Sequence, residues 1–286
     1  MVPPGRHFCL PRACHTVNTL LHSLKLLPLL LHCMLFNGLA CNSAAQNQLK
    51  PAAKLAIIID DIGYKLEEGS QAVNMEEAVT ISIIPFSPYD KSLARLAHQN
   101  NKEVMLHAPM MPMHTQSWEW GLNSAMNKTE LVSAFTEMLA HVPHTIGVNN
   151  HGGSLFTQDK MRMTWLMNTL KQHNLFFIDS RTTADSTGIE VAIETGIPYS
   201  KRDLFLDNEL TETAVRNQLD RLVEIATERG SAIAIGHPHK VTLDTLQKYF
   251  LTFKQNNIEL VSASKLLRHN NQYANTFPGF VHAFKR

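Results

Sequence analysis

The stretch LAIIIDD, residues 55–61, is a run of five aliphatic residues that stops on two adjacent carboxylates. A short continuous apolar run of this kind, rich in β-branched residues, reads as a strand buried on both faces. Such strands belong to parallel sheets whose two faces are covered by helices. Similar runs follow along the chain: AVTISIIP at 78–85, KEVMLHAPM at 102–110, HTIGVNNHGG at 144–153, LFFIDSRT at 175–182, SAIAIGHPH at 231–239 and IELVSAS at 258–264. Between them, apolar residues recur at helical spacing over 89–100, 128–141, 160–174, 211–229 and 242–256. Strand then helix, repeated, predicts a parallel α/β architecture. A barrel and a doubly wound open sheet both satisfy this alternation, because strand order is not written in one sequence.

No linker rich in Gly, Ser or Pro and no charge block divides residues 50–267, so one domain is expected over residues 50–268. Periodicity stops after Leu267, and residues 269–286 read as a loose tail. The 286 residues are 44% hydrophobic and 18% charged, which supplies a full core and excludes disorder. Lys and Arg total 26 against 25 acidic residues, so nothing electrostatic favours nucleic acid as a partner.

The four cysteines, Cys9, Cys14, Cys33 and Cys41, all precede residue 42. The body of the chain therefore has no thiol nucleophile, cysteine-bound zinc or disulfide framework. Eleven of the 15 histidines follow residue 50, which makes imidazole the available metal ligand.

At the N-terminus, Arg6, Arg12 and Lys25 occur without an acidic residue and precede the apolar run LLPLLLHCMLF at 26–36. That run is too short to span a bilayer core of about 30 Å. The small residues of GLACNSAAQ follow at 38–46, so residues 1–45 read as a signal peptide, cut after Ala40 or Ala45, or as an N-terminal anchor. Export is the expectation, with no transmembrane span in the mature protein. Retention by the uncleaved segment or by a lipidated Cys41 is the alternative.

In parallel β/α folds the loops at the C-terminal strand ends build the active site. Here those ends are polar: Asp60 and Asp61, then His107, then Asn149, Asn150 and His151, then Asp179 and Arg181, then Asp207, then His237 and His239. A single strand-end Asp is often only a helix cap. Adjacent carboxylates, however, repel each other unless a cation or a proton lies between them. Asp61 with His107 and His151 makes a two-histidine, one-carboxylate set that leaves open positions on a divalent metal, with zinc the best match. His114 is an alternative ligand, and a hydrogen-bonded scaffold role for the histidines is the bland alternative.

Other features carry less. Met105, Met110, Met111 and Met113 fit packing filler as well as an apolar pocket. Trp118 and Trp120 fit sugar stacking or a loop folded over its own aromatics. NNHGGS lacks the lysine and spacing of a phosphate loop, and no G-x-S-x-G elbow occurs. His98, His141, His144 and His173 read as solvent-facing.

Taken in order, IIIDDIG, LHAPMMP, GVNNHGGS, FIDSRT, RDLFLDN and AIAIGHPH resemble the divergent polysaccharide deacetylase family, from about Leu55 to Leu267. The resemblance implies an irregular β/α barrel of the NodB-like type. It also implies an exported, periplasmic bacterial protein, and metal-dependent hydrolysis of N-acetyl or O-acetyl groups on a glycan. It makes Asp60 the base and Asp61 a metal ligand, with His237 as the general acid. Ordinary polysaccharide deacetylases take both imidazoles from H-x-x-x-H, but four residues after His107 stands Met111, so the second comes from His151. The usual R-x-P-x-G block is absent, and Gly152 replaces a bulkier residue. Asp179 and Arg181 are expected to orient Asp60 or His237, and Asp207 to do the same or to serve a plain turn. A non-catalytic glycan-binding or envelope protein on this fold, and a metal hydrolase acting on another bond, are the alternatives.

Overall fold

The structure is a computed structural model that describes residues 52–114 and 120–276. Residues 1–45, Cys41 and Trp118, on which the export and lipidation expectations and one aromatic reading depend, lie outside the described residues.

Among the described residues nine parallel strands form one sheet: β1 (Ala53–Ile62), β2 (Thr80–Ile83), β3 (Glu103–Met110), β4 (Thr145–Gly152), β5 (Phe176–Asp179), β6 (Tyr199–Lys201), β7 (Leu204–Phe205), β8 (Ser231–Gly236) and β9 (Ile258–Leu260). The order is β6-β5-β4-β3-β2-β1-β8-β7, with β9 paired to the first residues of β1. The two edge strands of this order are consecutive in the chain and are separated only by Arg202 and Asp203. Those two residues bridge the seam, since Arg202 N–H donates to Asp179 O at 3.0 Å and Asp203 N–H donates to Ile233 O at 2.9 Å. A two-residue step between opposite edges requires a rolled sheet. The fold is therefore an irregular parallel β/α barrel, as the resemblance implied, and the open-sheet alternative falls away.

The helices are α1 (Leu66–Val73), α2 (Asp90–Gln99), α3 (Lys128–His141), α4 (Lys160–Gln172), α5 (Gly188–Thr195), α6 (Glu212–Arg229), α7 (Lys240–Gln255) and α8 (Ala263–Thr276). Caps fix several starts: Asn127 and Glu130 form a capping box on α3, Asp159 accepts from Arg162 N–H on α4, and Thr211 accepts from Ala214 N–H on α6. Among the described residues no helix is long and apolar enough to cross a membrane.

Strand alternation sorts the core. Leu55, Ile57, Ile59, Ile81, Ile83, Leu106, Val148 and Phe177 pack outward under the helices. Ala56, Ile58, Met105, Phe176, Ile178, Ile233 and Ile235 fill the barrel interior together with Val261, Ala263, Leu266 and Leu267. Of the tail expected to be loose, the part up to Thr276 continues α8, and residues 277–286 lie outside the described residues. Leu266 and Leu267 anchor that helix against the barrel floor, and Ser231 Oγ donates to Asn270 Oδ1 at 2.9 Å.

Candidate metal centre

The same alternation that places Ala56 and Ile58 inside the barrel places Asp60 there too, and likewise His107 above Met105. Asp61 should point outward. It does not, because the register between β1 and β2 shifts between Ile59 and Ile62, and Asp61 takes a left-handed backbone with φ 56°. A bulge of this kind re-aims a side chain, and Asp tolerates the left-handed region better than most residues. Both carboxylates thus reach the barrel mouth.

Three donor atoms converge there. Asp61 Oδ1 lies 3.3 Å from His107 Nε2 and 3.0 Å from His151 Nδ1. The two imidazole nitrogens are 3.3 Å apart. Four-coordinate zinc with ligands at about 2.1 Å needs donor atoms roughly 3.3 Å apart, so the triangle has the size of a tetrahedral face. Asp61 Oδ1 is buried, yet no hydrogen bond satisfies it within the described residues. An orphaned buried carboxylate oxygen facing two imidazole nitrogens is what a cation would complete. Asp61, His107 and His151 also form the one group of metal-compatible side chains found among the described residues. His114, the alternative ligand, is exposed and outside that group.

The electrostatics fit the geometry. Burial opposes the Asp61 charge, but the two facing imidazoles outweigh it and hold the carboxyl well below its usual range. Burial likewise opposes a charged His107, and the carboxylates of Asp60 and Asp61 push its proton affinity up. Asp60 is only 1% exposed, and that burial raises its pKa above the ordinary value.

Asn149, not singled out by sequence as a site residue, fixes both neighbours. Its Nδ2 donates to Asp60 Oδ1 at 2.8 Å and Oδ2 at 3.0 Å. Its Oδ1 therefore faces the other way, accepting from Ser82 Oγ at 2.6 Å and lying 3.0 Å from His107 Nδ1. A carbonyl oxygen there requires a proton on Nδ1, which leaves Nε2 as the lone-pair atom aimed at Asp61.

His237 projects from the end of β8, next to β1 in the sheet. Its Nδ1 lies 2.9 Å from Asp207 Oδ1. The second oxygen, Asp207 Oδ2, accepts from the His237 amide at 2.7 Å and from Thr242 Oγ1 at 2.8 Å. Burial disfavours the imidazolium, but the Asp207 ion pair, with Asp60 and Asp61, prevails and pushes His237 up to about 9.

Asp179 and Arg181 behave differently from expectation. Asp179 accepts from Arg181 N–H at 2.8 Å and Ser186 Oγ at 2.8 Å, and the Arg181 guanidinium donates to Ala184 O at 3.0 Å. These contacts brace their own loop rather than orienting Asp60 or His237, because strand alternation turns Asp179 to the outer face of β5. Arg202, unmarked by sequence, sits at the seam. Its Nε donates to Ser180 O at 2.7 Å, and its guanidinium lies 3.7 Å from the Phe205 ring centre.

Residues 57–267 match the family model described as divergent polysaccharide deacetylase. The chain belongs to the divergent polysaccharide deacetylase family. It is 36% identical over 228 residues to the protein YibQ of Escherichia coli (strain K12), covering 79% of this chain and 71% of that one. A Haemophilus influenzae protein is 35% identical over 218 residues, 76% of this chain and 78% of its own length. In fold, the chain is similar to the crystal structure of ATU2773 from Agrobacterium tumefaciens C58, with a TM-score of 0.72, 21% identity, and coverage of 76% of this chain and 90% of that one. Asp60, Asp61, His107, His151 and His237 all lie within the matched residues 57–267.

Proposed function

We propose that the protein is a metal-dependent hydrolase that removes acetyl groups from an envelope polysaccharide or other glycan. The observation that carries this reading is the convergence of Asp61, His107 and His151, with an orphaned carboxylate oxygen, beside a buried Asp60 and an imidazolium at His237. The donor set of one carboxylate and two imidazoles suits zinc. When bound, such a cation polarises an acyl carbonyl and makes a water molecule more acidic.

The chain's own residues supply the proton transfers. Asp60, whose proton affinity is raised by burial, takes a proton from the attacking water, and the Asn149 amide holds its two oxygens in place. His237 carries a proton at neutral pH and gives it to the departing amine or alkoxide, with Asp207 fixing the ring by Nδ1. The N-terminal sequence pattern of residues 1–45 fits export, which would bring the enzyme to its glycan.

Metal analysis of the purified protein, followed by acetate release from acetylated glycans, tests the reading. Asp60→Asn and His237→Gln are each expected to retain metal and lose about 10²-fold or more in turnover. A metal-loaded parent that releases acetate from no acetylated glycan or ester favours the second reading, a glycan-binding protein that kept the barrel. An active parent whose Asp60→Asn variant keeps full rate overturns the role of Asp60.

A further inference from the structure

Aromatic side chains rim the mouth of the barrel on the side of β1, β2 and β3. Tyr64, Phe86, Tyr89 and Trp120 are 51%, 43%, 37% and 41% exposed. The loops that carry them are joined to one another and to the metal site. Ile84 N–H donates to Ile62 O, and Tyr89 N–H to Gly63 O, both at 2.9 Å, so the loop after β2 rides on the two residues that follow Asp61. Trp120 precedes Leu122, whose backbone pairs with Pro109 and Met111, just beyond His107 on β3.

Phe86 is the unusual member. Its φ is 63°, a left-handed conformation that is an outlier for a bulky residue. Buried Asp90 and half-buried His141 hold it there. Asp90 is 6% exposed, and its Oδ2 accepts the Phe86 amide at 2.8 Å while lying 2.9 Å from His141 Nδ1. The Phe86 ring packs 4.2 Å from the His141 ring and meets Trp120 edge-on, with centroids 6.3 Å apart at 88°. Burial does not explain the strain, because the ring keeps nearly half its surface in water. The fold keeps a largely exposed aromatic ring, on the loop that rides on the two residues after Asp61, at a conformational cost.

We propose that Phe86 and Trp120 form a sugar-stacking subsite that holds a pyranose ring of the glycan next to the residue whose acetyl group lies at the metal. This rests on the glycan reading above and deepens it. The apolar face of a pyranose matches an exposed aromatic plane, whereas the T-shaped pair is too small and too broken for a protein–protein interface core. The subsite predicts a preference for oligomers over single sugars.

The test uses EDTA-treated protein, so that binding is read apart from catalysis. The probes are the hexamers of glucosamine and N-acetylglucosamine and the corresponding monosaccharides, followed by calorimetry and tryptophan fluorescence. The parent is expected to bind a hexamer at least about tenfold more tightly than the monosaccharide, a gain on the scale of one aromatic contact. Trp120→Ala, Phe86→Leu and Phe86→Gly are each expected to remove that gain. Phe86→Gly is also expected to leave the thermal midpoint unchanged or raised, since glycine adopts positive φ freely. A parent that binds neither hexamer overturns the proposal. So does a Phe86→Leu variant that binds like the parent, or a Phe86→Gly variant that melts earlier with binding intact. Hexamer binding by the EDTA-treated protein, with no acetate released from any acetylated glycan or ester by the metal-loaded protein, sinks the deacetylase reading and leaves the subsite standing.

Discussion

Replacing Asp207 by Asn tests the electrostatic account of His237 with a change of one atom. In the parent, Asp207 Oδ2 serves the His237 amide at 2.7 Å and Thr242 Oγ1 at 2.8 Å, leaving Oδ1 for His237 Nδ1 at 2.9 Å. An asparagine keeps the first two donors satisfied only with its carbonyl oxygen in the Oδ2 place. Its NH₂ then turns toward Nδ1, which must become an acceptor, so the ring is held neutral.

The magnitude follows from the ion pair. Burial opposes the charge on His237, yet Asp207 and the mouth carboxylates raise it from 6.5 to about 9. That rise corresponds to about 3 kcal/mol between the two protonation states. The side chain retains 28% exposure, so solvent screening brings the contribution to roughly 2 kcal/mol. Because the folded pKa is raised, this stability is fully present below pH 6.5 and is lost as the pH climbs through about 9.

Urea unfolding of EDTA-treated protein should therefore show the parent losing roughly 2 kcal/mol between about pH 6 and pH 10 relative to Asp207→Asn. Histidine NMR should place the variant's ring at or below the ordinary value. A variant ring that still titrates above about pH 8 would show that Asp60 and Asp61, not Asp207, hold the proton. An equal parent-to-variant difference at both pH values would show that the pair adds no charge-dependent stability.

Further outcomes follow from the same contacts. Asn149→Leu removes the acceptor that sets the His107 tautomer, and equilibrium dialysis should show metal affinity falling by about 10- to 100-fold. Metal content should drop in His151→Ala and stay at the parent level in His114→Ala; the reverse result would move the third ligand. Gly63→Ala would place a Cβ 1.9 Å from Ser87 Oγ at φ +129°, and denaturant unfolding should show a loss of more than about 2 kcal/mol.

Much of the fold was legible because buried parallel strands and amphipathic helices carry different local periods. What escaped did so for local reasons. α1 hides because Gly69 lies inside it, where a Cβ would come 2.6 Å from Leu93. α5, GIEVAIET, carries Ile189, Val191 and Ile193 and mimics a strand. Barrel closure was unreadable, since it depends on a two-residue step joining strands that meet only in space. Asp61, His107 and His151 were recoverable as polar strand ends, but the bulge that turns Asp61 inward leaves no sequence mark. Asn149 stands in the sequence only as one of several polar strand ends, and the contacts to Asp60, His107 and Ser82 reveal its use. Asp179 ends β5 and Arg181 follows it, but which face of β5 lies inside the barrel is set by the sheet and not by the local sequence.

One register serves both the core and the site. Inward positions run Ala56, Ile58, Asp60 on β1; Met105, His107 on β3; Phe176, Ile178, Ser180 on β5 and just past it; and Ile233, Ile235, His237 on β8 and just past it. Each line passes from apolar at the floor to polar at the mouth. A slip of one residue in β1 would bring Ile57 and Ile59 inside and press Asp60 under the helices, away from Asn149 and His107. Pairing of Lys54 and Leu55 to both β8 and β9 holds the lower end of β1 against such a slip. The irregularity is therefore confined to the upper end, between Ile59 and Ile62, where it turns Asp61 toward the two imidazoles. The sealed floor and the strained carboxylate at the mouth are thus two consequences of one strand, and a substitution that loosens its lower pairing should disturb the metal site from a distance.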